Sequence, residues 1–111
     1  MVERKTEIYR IINQFIQSLN NDITVRQVIL FGSHTKGKIK SYSDIDLIIV
    51  SPSFDNKKHI ENMQYLFRKA AKVNSLIEPI PATPEEIAQA DKRSFLGQAI
   101  KTGEVIYSGQ E

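Results

Sequence analysis

The sequence contains no cysteine, which excludes a disulfide framework and a cysteine-bound zinc ribbon. No apolar run approaches the ~20 residues that a membrane-spanning helix requires. The N-terminal stretch MVERKTEIYR is charged and lacks the apolar centre of a signal peptide. Internal repeats and low-complexity segments are absent too. We therefore expect a cytoplasmic protein without a membrane partner.

An excess of charge of one sign is also lacking. The chain contains 15 Lys+Arg and 13 Asp+Glu, for a formal net charge of +2, which gives no strong electrostatic reason to bind nucleic acid. A chain of 111 residues with 41% hydrophobic residues can bury roughly two thirds of its unfolded surface. We expect a single domain over residues 1–111 and no nucleic-acid partner.

The segment 28–50, VILFGSHTKGKIKSYSDIDLIIV, carries the most informative pattern. The apolar run before Gly32 is too short for a helix, and Gly32 permits a tight turn at its end. If Ser33 to Gly37 begins a helical turn, its free N–H groups and the Ser33 hydroxyl are donors suited to a phosphate. Half of a nucleotide site is therefore predicted at this turn.

Basic side chains follow the turn. Lys36 lies near enough to it to contact a triphosphate, whereas Lys40 is more simply a solvated lysine. His34 could also contact phosphate, but a surface histidine is more often idle than functional. Lys36 is therefore the lysine that we assign to the nucleotide.

Two carboxylates begin the next apolar run, Asp44-Ile45-Asp46-Leu47-Ile48-Ile49-Val50. Side chains two apart on a strand share a face, which puts Asp44 and Asp46 roughly 7 Å apart at the backbone. Carboxylates this close repel each other unless a cation lies between them, and oxygen ligands suit Mg²⁺ or Mn²⁺. A Gly-Ser pair alone is usually a turn and an Asp at a strand start is often a solvated cap, but their conjunction favours a nucleotide and metal site.

Hydropathy patterns predict the remaining elements. Helices are expected over residues 4–20, after a cap at Asp55 or Asn56, from a cap at Thr83, and before Gly103. Strands are expected over residues 25–31, 45–51, 73–80 and 104–107. The order indicates an α/β or α+β fold, a small mixed sheet with helices packed against it. The helix after Asp55 or Asn56 is expected to bury an apolar stripe that includes Ile60 and Phe67, and the last helix one that includes Phe95.

The sequence combines Gly32-Ser33, ten intervening residues and Asp44-Ile45-Asp46. This pattern resembles the signature of the minimal nucleotidyltransferases, in the DNA polymerase β-like superfamily. The resemblance implies that fold, ATP as substrate and two Mg²⁺ ions. It implies that Gly32 and Ser33 hold the β and γ phosphates and that Asp44 and Asp46 ligate metal. Glu78, by itself equally readable as a surface glutamate, becomes the third ligand and assists deprotonation of the acceptor. The sequence departs from the common pattern at His34, where Arg is frequent, and at Lys38, where an acid is common.

Minimal members of this family are commonly paired with a small helical HEPN protein as antitoxin and toxin. The resemblance therefore implies transfer of AMP to a tyrosine of such a partner. Two other functions stay open on the sequence alone. One is a non-catalytic adaptor that neutralises its partner by contact, and the other is a subunit of an antibiotic-modifying nucleotidyltransferase.

Overall fold

The computed structural model describes residues 4–32, 44–55 and 57–109, with side chains from residue 6 onward. Four helices and four strands lie in these ranges. In chain order they are α1 Arg4–Asn20, β1 Gln27–Phe31, β2 Ile45–Val50, α2 His59–Ala71, β3 Ile77–Ala82, α3 Pro84–Ala88, α4 Phe95–Thr102 and β4 Glu104–Ser108.

The strands form one four-stranded sheet in the order β3-β2-β1-β4. β1 pairs antiparallel with both β2 and β4, and β2 pairs parallel with β3. The predicted small mixed sheet is therefore confirmed. The parallel pair requires a crossover between β2 and β3, which α2 supplies.

Alternate residues of each strand point to opposite faces of the sheet, and both faces are covered. On the face that we call the α1/α2 face, Val28 and Leu47 pack with Phe15 of α1 and Leu66 of α2. On the α3/α4 face, a smaller cluster forms from Ile29, Ile48, Val50, Ala82 and Ala99. The larger core thus lies under the two longer helices.

β3 begins four residues later than predicted, at Ile77 rather than Val73. Residues 73–76 form a turn instead, because Val73 N and Asn74 N both donate to Ala70 O and the Asn74 Oδ1 accepts from Leu76 N at 2.8 Å. Asn74 thus satisfies the backbone locally and delays pairing with β2.

Two prolines lie inside β3, and its place at the sheet edge explains how they fit. Ile45 N donates to Leu76 O and Ser51 N to Ala82 O. By the alternation of a strand, the N–H positions of Pro79 and Pro81 point away from β2 to the free edge, where a missing donor costs no ladder hydrogen bond. The prediction that Pro79 marks an edge or a strand end is confirmed for the edge, and both prolines discourage further strand pairing there.

Helix starts agree with prediction at one position and disagree at another. The Thr83 capping box is confirmed: Thr83 Oγ1 accepts from Glu86 N and Glu86 Oε1 accepts from Thr83 N. The predicted Asp55 cap of α2 is wrong, because Asp55 Oδ1 accepts from Lys57 N in a preceding turn and the N-cap residue is Lys58. Asn56, the alternative cap, lies outside the described residues.

The first strand also starts later than predicted. β1 begins at Gln27, two residues after the predicted start at Val25.

Three apolar side chains predicted in buried helix stripes are exposed, which corrects those assignments. Ile60 is 69% exposed, Phe67 41% and Phe95 61%. The sheet is short, so α2 buries fully only Leu66 and Ala70, and α4 only Ala99. None of the helices in the described ranges has the length and apolar content of a membrane-spanning segment.

Candidate functional site

The turn that follows β1 is built around Gly32. Its φ of +83° lies in the left-handed region, a backbone conformation that residues with a side chain rarely adopt. A Cβ at this position would lie 2.5 Å from the Asp46 Oδ2 and 3.4 Å from its Cγ. Glycine is therefore required twice, by its backbone conformation and by the carboxylate packed against it.

Sheet register brings the predicted carboxylates to this turn. Asp46 of β2 is the partner of Phe31 on β1 and of Glu78 on β3. Asp44 lies two residues before Asp46, at the start of the same strand. By strand alternation all three carboxylates belong to the α3/α4 face, since Ile45 and Ile77 belong to the α1/α2 face. Residues from three strands thus meet at one end of the sheet.

The carboxylates act on each other electrostatically. Burial, the negative charge of Asp44 and hydrogen bonding with Asp46 raise the pKa of Glu78 above its ordinary value. The direction is that of like charges sharing one site, where each disfavours ionisation of the next. A cation among them would remove this repulsion.

A hard divalent cation needs several oxygen donors directed at one point. Within residues 4–32, 44–55 and 57–109, no three His, Cys, Asp or Glu side chains are arranged to hold a metal. The chemistry of the donors nevertheless fits a hard divalent cation, because all three are carboxylates and the strand register places Asp46 beside Glu78.

Four of the predicted site residues, Gly32, Asp44, Asp46 and Glu78, are thus found together. The assigned phosphate ligands Ser33 and Lys36 lie outside the described residues, as do His34, Lys38 and Lys40. The roles given to all of these residues stay predictions.

An aromatic pair beside the carboxylates was missed by the sequence argument. The rings of Phe31 and Phe95 meet edge to face, with centroids 5.6 Å apart and planes at 79°. The helical spacing of Phe95 with Leu96 and Ala99 predicted burial, and no local signal revealed the exposure. The only hint in the sequence was the position of Phe31, directly before the glycine.

One cavity in the described part of the chain lies away from the carboxylates. A space of about 590 Å³ opens at the opposite end of the sheet, between the segment after β2 and the start of α3, and is lined by Arg26, Phe54 and Glu85 among others. A cavity of about 160 Å³ lies between α2 and β3 and reaches Glu78.

A glycine turn at the end of one strand and carboxylates on the next two thus lie together at one end of a mixed α/β domain. Residues 10–101 match the family model of the nucleotidyltransferase domain, and the chain belongs to that family. No curated protein matches the sequence. The predicted family and fold are confirmed.

Solved structures with the same fold include a protein from Sulfolobus solfataricus provisionally named a nucleotidyltransferase, at a TM-score of 0.70 and 14% identity over 93% of this chain and 82% of that one. A chain of a toxin–antitoxin complex with AMP-PNP aligns at 0.57 and 23% identity, over 88% and 73%. A chain from the complex of tri-AMPylated Shewanella oneidensis HEPN toxin with MNT antitoxin aligns at 0.50 and 19% identity, over 92% and 73%. At these identities the likeness shows the fold.

Proposed function

We propose that the protein is a Mg²⁺-dependent nucleotidyltransferase, with Mn²⁺ as a possible substitute, that transfers AMP from ATP to a tyrosine hydroxyl of a HEPN-type partner in the cytoplasm. The register that places Asp46 between Phe31 and Glu78 carries the proposal. It joins the turn suited to phosphate to an oxygen donor set on the two neighbouring strands.

Gly32 lets the triphosphate approach the backbone, because no Cβ stands between the turn and the Asp46 carboxylate. Ser33 and Lys36 contact the β and γ phosphates. Asp44, Asp46 and Glu78 would hold the two divalent ions, which when bound would supply positive charge to offset that of the phosphates and of pyrophosphate. These residues mainly position the reactants and offset charge, which is the greater part of catalysis in phosphoryl chemistry.

The transfer needs no reactant besides ATP and the tyrosine hydroxyl. The tyrosine oxygen attacks the α-phosphorus and forms the new O–P bond. The bond from that phosphorus to the oxygen bridging to the β-phosphate breaks, and pyrophosphate leaves with the electron pair. The phenolic proton passes to the Glu78 carboxylate, the described acid on β3, and from there to solvent.

The choice of partner is supported by the complexes in which the fold recurs. One neighbouring structure pairs an antitoxin with an AMPylated HEPN toxin, and another is a toxin–antitoxin with AMP-PNP. The low net charge of +2 is consistent with a protein acceptor, since phosphate-backbone binding usually rests on a dense basic patch.

The test is a labelling experiment with a matched control. The purified protein is incubated with Mg²⁺, ATP labelled at the α-phosphate and a lysate of its source, and labelled proteins are identified by mass spectrometry. We expect one small partner to gain AMP on tyrosine with the native protein and with Glu61→Gln, an exposed acid on α2. The double variant Asp44→Asn, Asp46→Asn should label nothing. If the double variant labels equally, the proposal fails, and a partner bound and neutralised without added mass would establish the adaptor function.

A further inference from the structure

Phe95 exposes an aromatic ring beside the candidate site. It is the first residue of α4 and is 61% exposed, although a phenylalanine on this helix could have turned toward the sheet. The edge-to-face contact with Phe31 orients the ring. Because such a contact uses only part of one ring, much of the Phe95 surface is left open to a ligand.

Phe31 connects that surface to the phosphate turn. It is the residue directly before Gly32, and its register partner on β2 is Asp46. Its side chain packs in the α3/α4 cluster, on the face to which Asp46 and Glu78 also belong. The exposed ring of Phe95 therefore borders the same end of the same face as the carboxylates, one side chain away from the turn.

The segment before α4 fixes Phe95 in place. Ser94 caps the helix by accepting from Gly97 N at 3.0 Å, and its own Oγ donates to Asp91 O at 2.7 Å. Gln98 Nε2 donates to Lys92 O at 2.6 Å. These bonds hold both sides of Phe95, so its exposure is built in rather than a result of fraying.

Gly97 allows this segment to pack so closely on the helix. A Cβ at Gly97 would lie 2.0 Å from Asp91 O and 2.9 Å from its carbonyl carbon. The capped turn and Gly97 thus form a rigid support for the exposed Phe95 ring. A support of this kind reduces the entropy that a ligand must overcome when it orders a contact side chain.

We propose that Phe95 is the platform on which the nucleobase of the bound nucleoside triphosphate stacks. The inference rests on the proposed function, because it assumes that the phosphates lie at Gly32. A base needs a flat apolar surface a short distance from the phosphates, and Phe95 is the exposed aromatic ring that contacts the residue preceding the turn. Every nucleobase has a π face, so stacking contributes affinity without reading the base edge.

The test separates the base from the phosphates. Calorimetry in Mg²⁺ buffer measures binding of two ligands. One is α,β-methylene-ATP, whose α–β linkage cannot be cleaved, so that no AMP is transferred, and the other is inorganic tripolyphosphate. We expect Phe95→Ala to weaken binding of the nucleotide about tenfold and to leave tripolyphosphate binding unchanged. Phe95→Trp should restore the nucleotide affinity. Ile60→Ala, an equally exposed apolar side chain on the α1/α2 side of the sheet, should change neither.

The outcomes distinguish this inference from the proposed function. If the native protein binds both ligands and Phe95→Ala binds both equally well, the platform is absent and the phosphate site stands. An equal loss of both ligands in a variant with native circular dichroism would also overturn it, since Phe95 would then act on the phosphate site. A loss confined to transfer, with nucleotide affinity intact, would assign Phe95 to the acceptor instead. If the native protein binds neither ligand, the proposed function itself fails.

Discussion

The Asp46 carboxylate occupies the space that a side chain at Gly32 would need: a Cβ there would lie 2.5 Å from the Asp46 Oδ2. The glycine turn and the carboxylate group are therefore structurally dependent on each other. The absence of a side chain at Gly32, directly after β1, lets the Asp46 carboxylate of β2 pack against the turn. Changing either residue should therefore disturb both.

Gly32→Ala is expected to reduce stability and nucleotide affinity together. The left-handed φ of +83° costs a non-glycine residue roughly 1–2 kcal/mol, and the new Cβ must also displace Asp46. Ser33→Ala should weaken triphosphate binding by about 1–2 kcal/mol through loss of a charged hydrogen bond and leave stability nearly unchanged. Urea unfolding and calorimetry with a triphosphate measure the two effects. Unchanged ATP affinity in both variants would place the phosphate site elsewhere.

Glu78→Gln should stabilise the metal-free protein at neutral pH while abolishing transfer. The folded pKa of Glu78 is raised by burial, by Asp44 and by Asp46. The folded state therefore favours the protonated acid, and stability falls as the pH rises from the unfolded pKa through the folded one. In chelator, urea unfolding should show the native protein losing stability over that window and the variant losing less. A steeper loss in the variant would contradict the repulsion among the three carboxylates.

Added Mg²⁺ should reverse that order. An ion bound only by the folded state stabilises it by mass action, so the midpoint of thermal unfolding should rise with Mg²⁺ in the native protein and rise less in Glu78→Gln. The control is Glu61→Gln, which removes an acid from the first turn of α2 and should respond like the native protein. Equal shifts in all three proteins would mean that the ion binds away from the strand ends.

Asp22 links the end of α1 to α2 and should make stability sensitive to acid. Its Oδ2 accepts from the Lys69 Nζ and from the Tyr65 hydroxyl, each at 2.9 Å. These bonds lower the pKa of Asp22. Burial, followed by the hydrogen bond with Asp22, raises the pKa of Tyr65. The contribution of a carboxyl with a lowered pKa is present above its unfolded pKa and is lost as the pH falls through the folded one.

Asp22→Asn is therefore expected to be less stable than the native protein at pH 7, with the difference vanishing in strong acid. The effect should be small because the pair is partly exposed. Urea unfolding at both pH values provides the measurement, and Tyr65→Phe tests the hydroxyl separately. A difference that persists unchanged in acid would mean that the contact acts through packing and not through charge.

Thr83→Ala should lower the free energy of unfolding by about 1 kcal/mol, because the reciprocal bonds between Thr83 and Glu86 cap the start of α3. Transfer activity should stay native, since this cap lies at the opposite end of β3 from Glu78. Glu85→Gln, an exposed neighbour in the same turn, is the control for loss of charge near the helix start. Equal destabilisation by both changes would indicate a helix-dipole effect rather than capping.

The sequence was most informative where structure is decided locally. The apolar run of β2, the glycine that ends β1 and the Thr83 capping box each depend on neighbours within a few residues. The start of β3 could not be predicted this way, because the Asn74 side chain bonds Leu76 N and replaces strand pairing with a turn. An apolar stretch does not reveal whether such a competing bond forms.

Contacts between distant residues set the other limit. The approach of Asp46 to Glu78 follows from the register of β2 and β3, which are separated in the chain by α2. The exposure of Phe95 depends on its place at the capped start of α4, where bonds from Ser94 and Gln98 fix the segment around it. The family resemblance supplied Glu78, whereas nothing in the sequence alone distinguished Phe95 from its buried neighbours.

The most direct test of the central claim is binding of a divalent ion to the carboxylates beside Gly32. Electron paramagnetic resonance of Mn²⁺, titrated in the presence of α,β-methylene-ATP, reports free and bound ion separately. The account predicts tight binding by the native protein and by Glu61→Gln, and loss of that binding in Asp44→Asn, Asp46→Asn, with the variant's unfolding midpoint unchanged or raised. Native-like Mn²⁺ binding by the double variant would contradict the assignment of Asp44 and Asp46, and with it the proposed site.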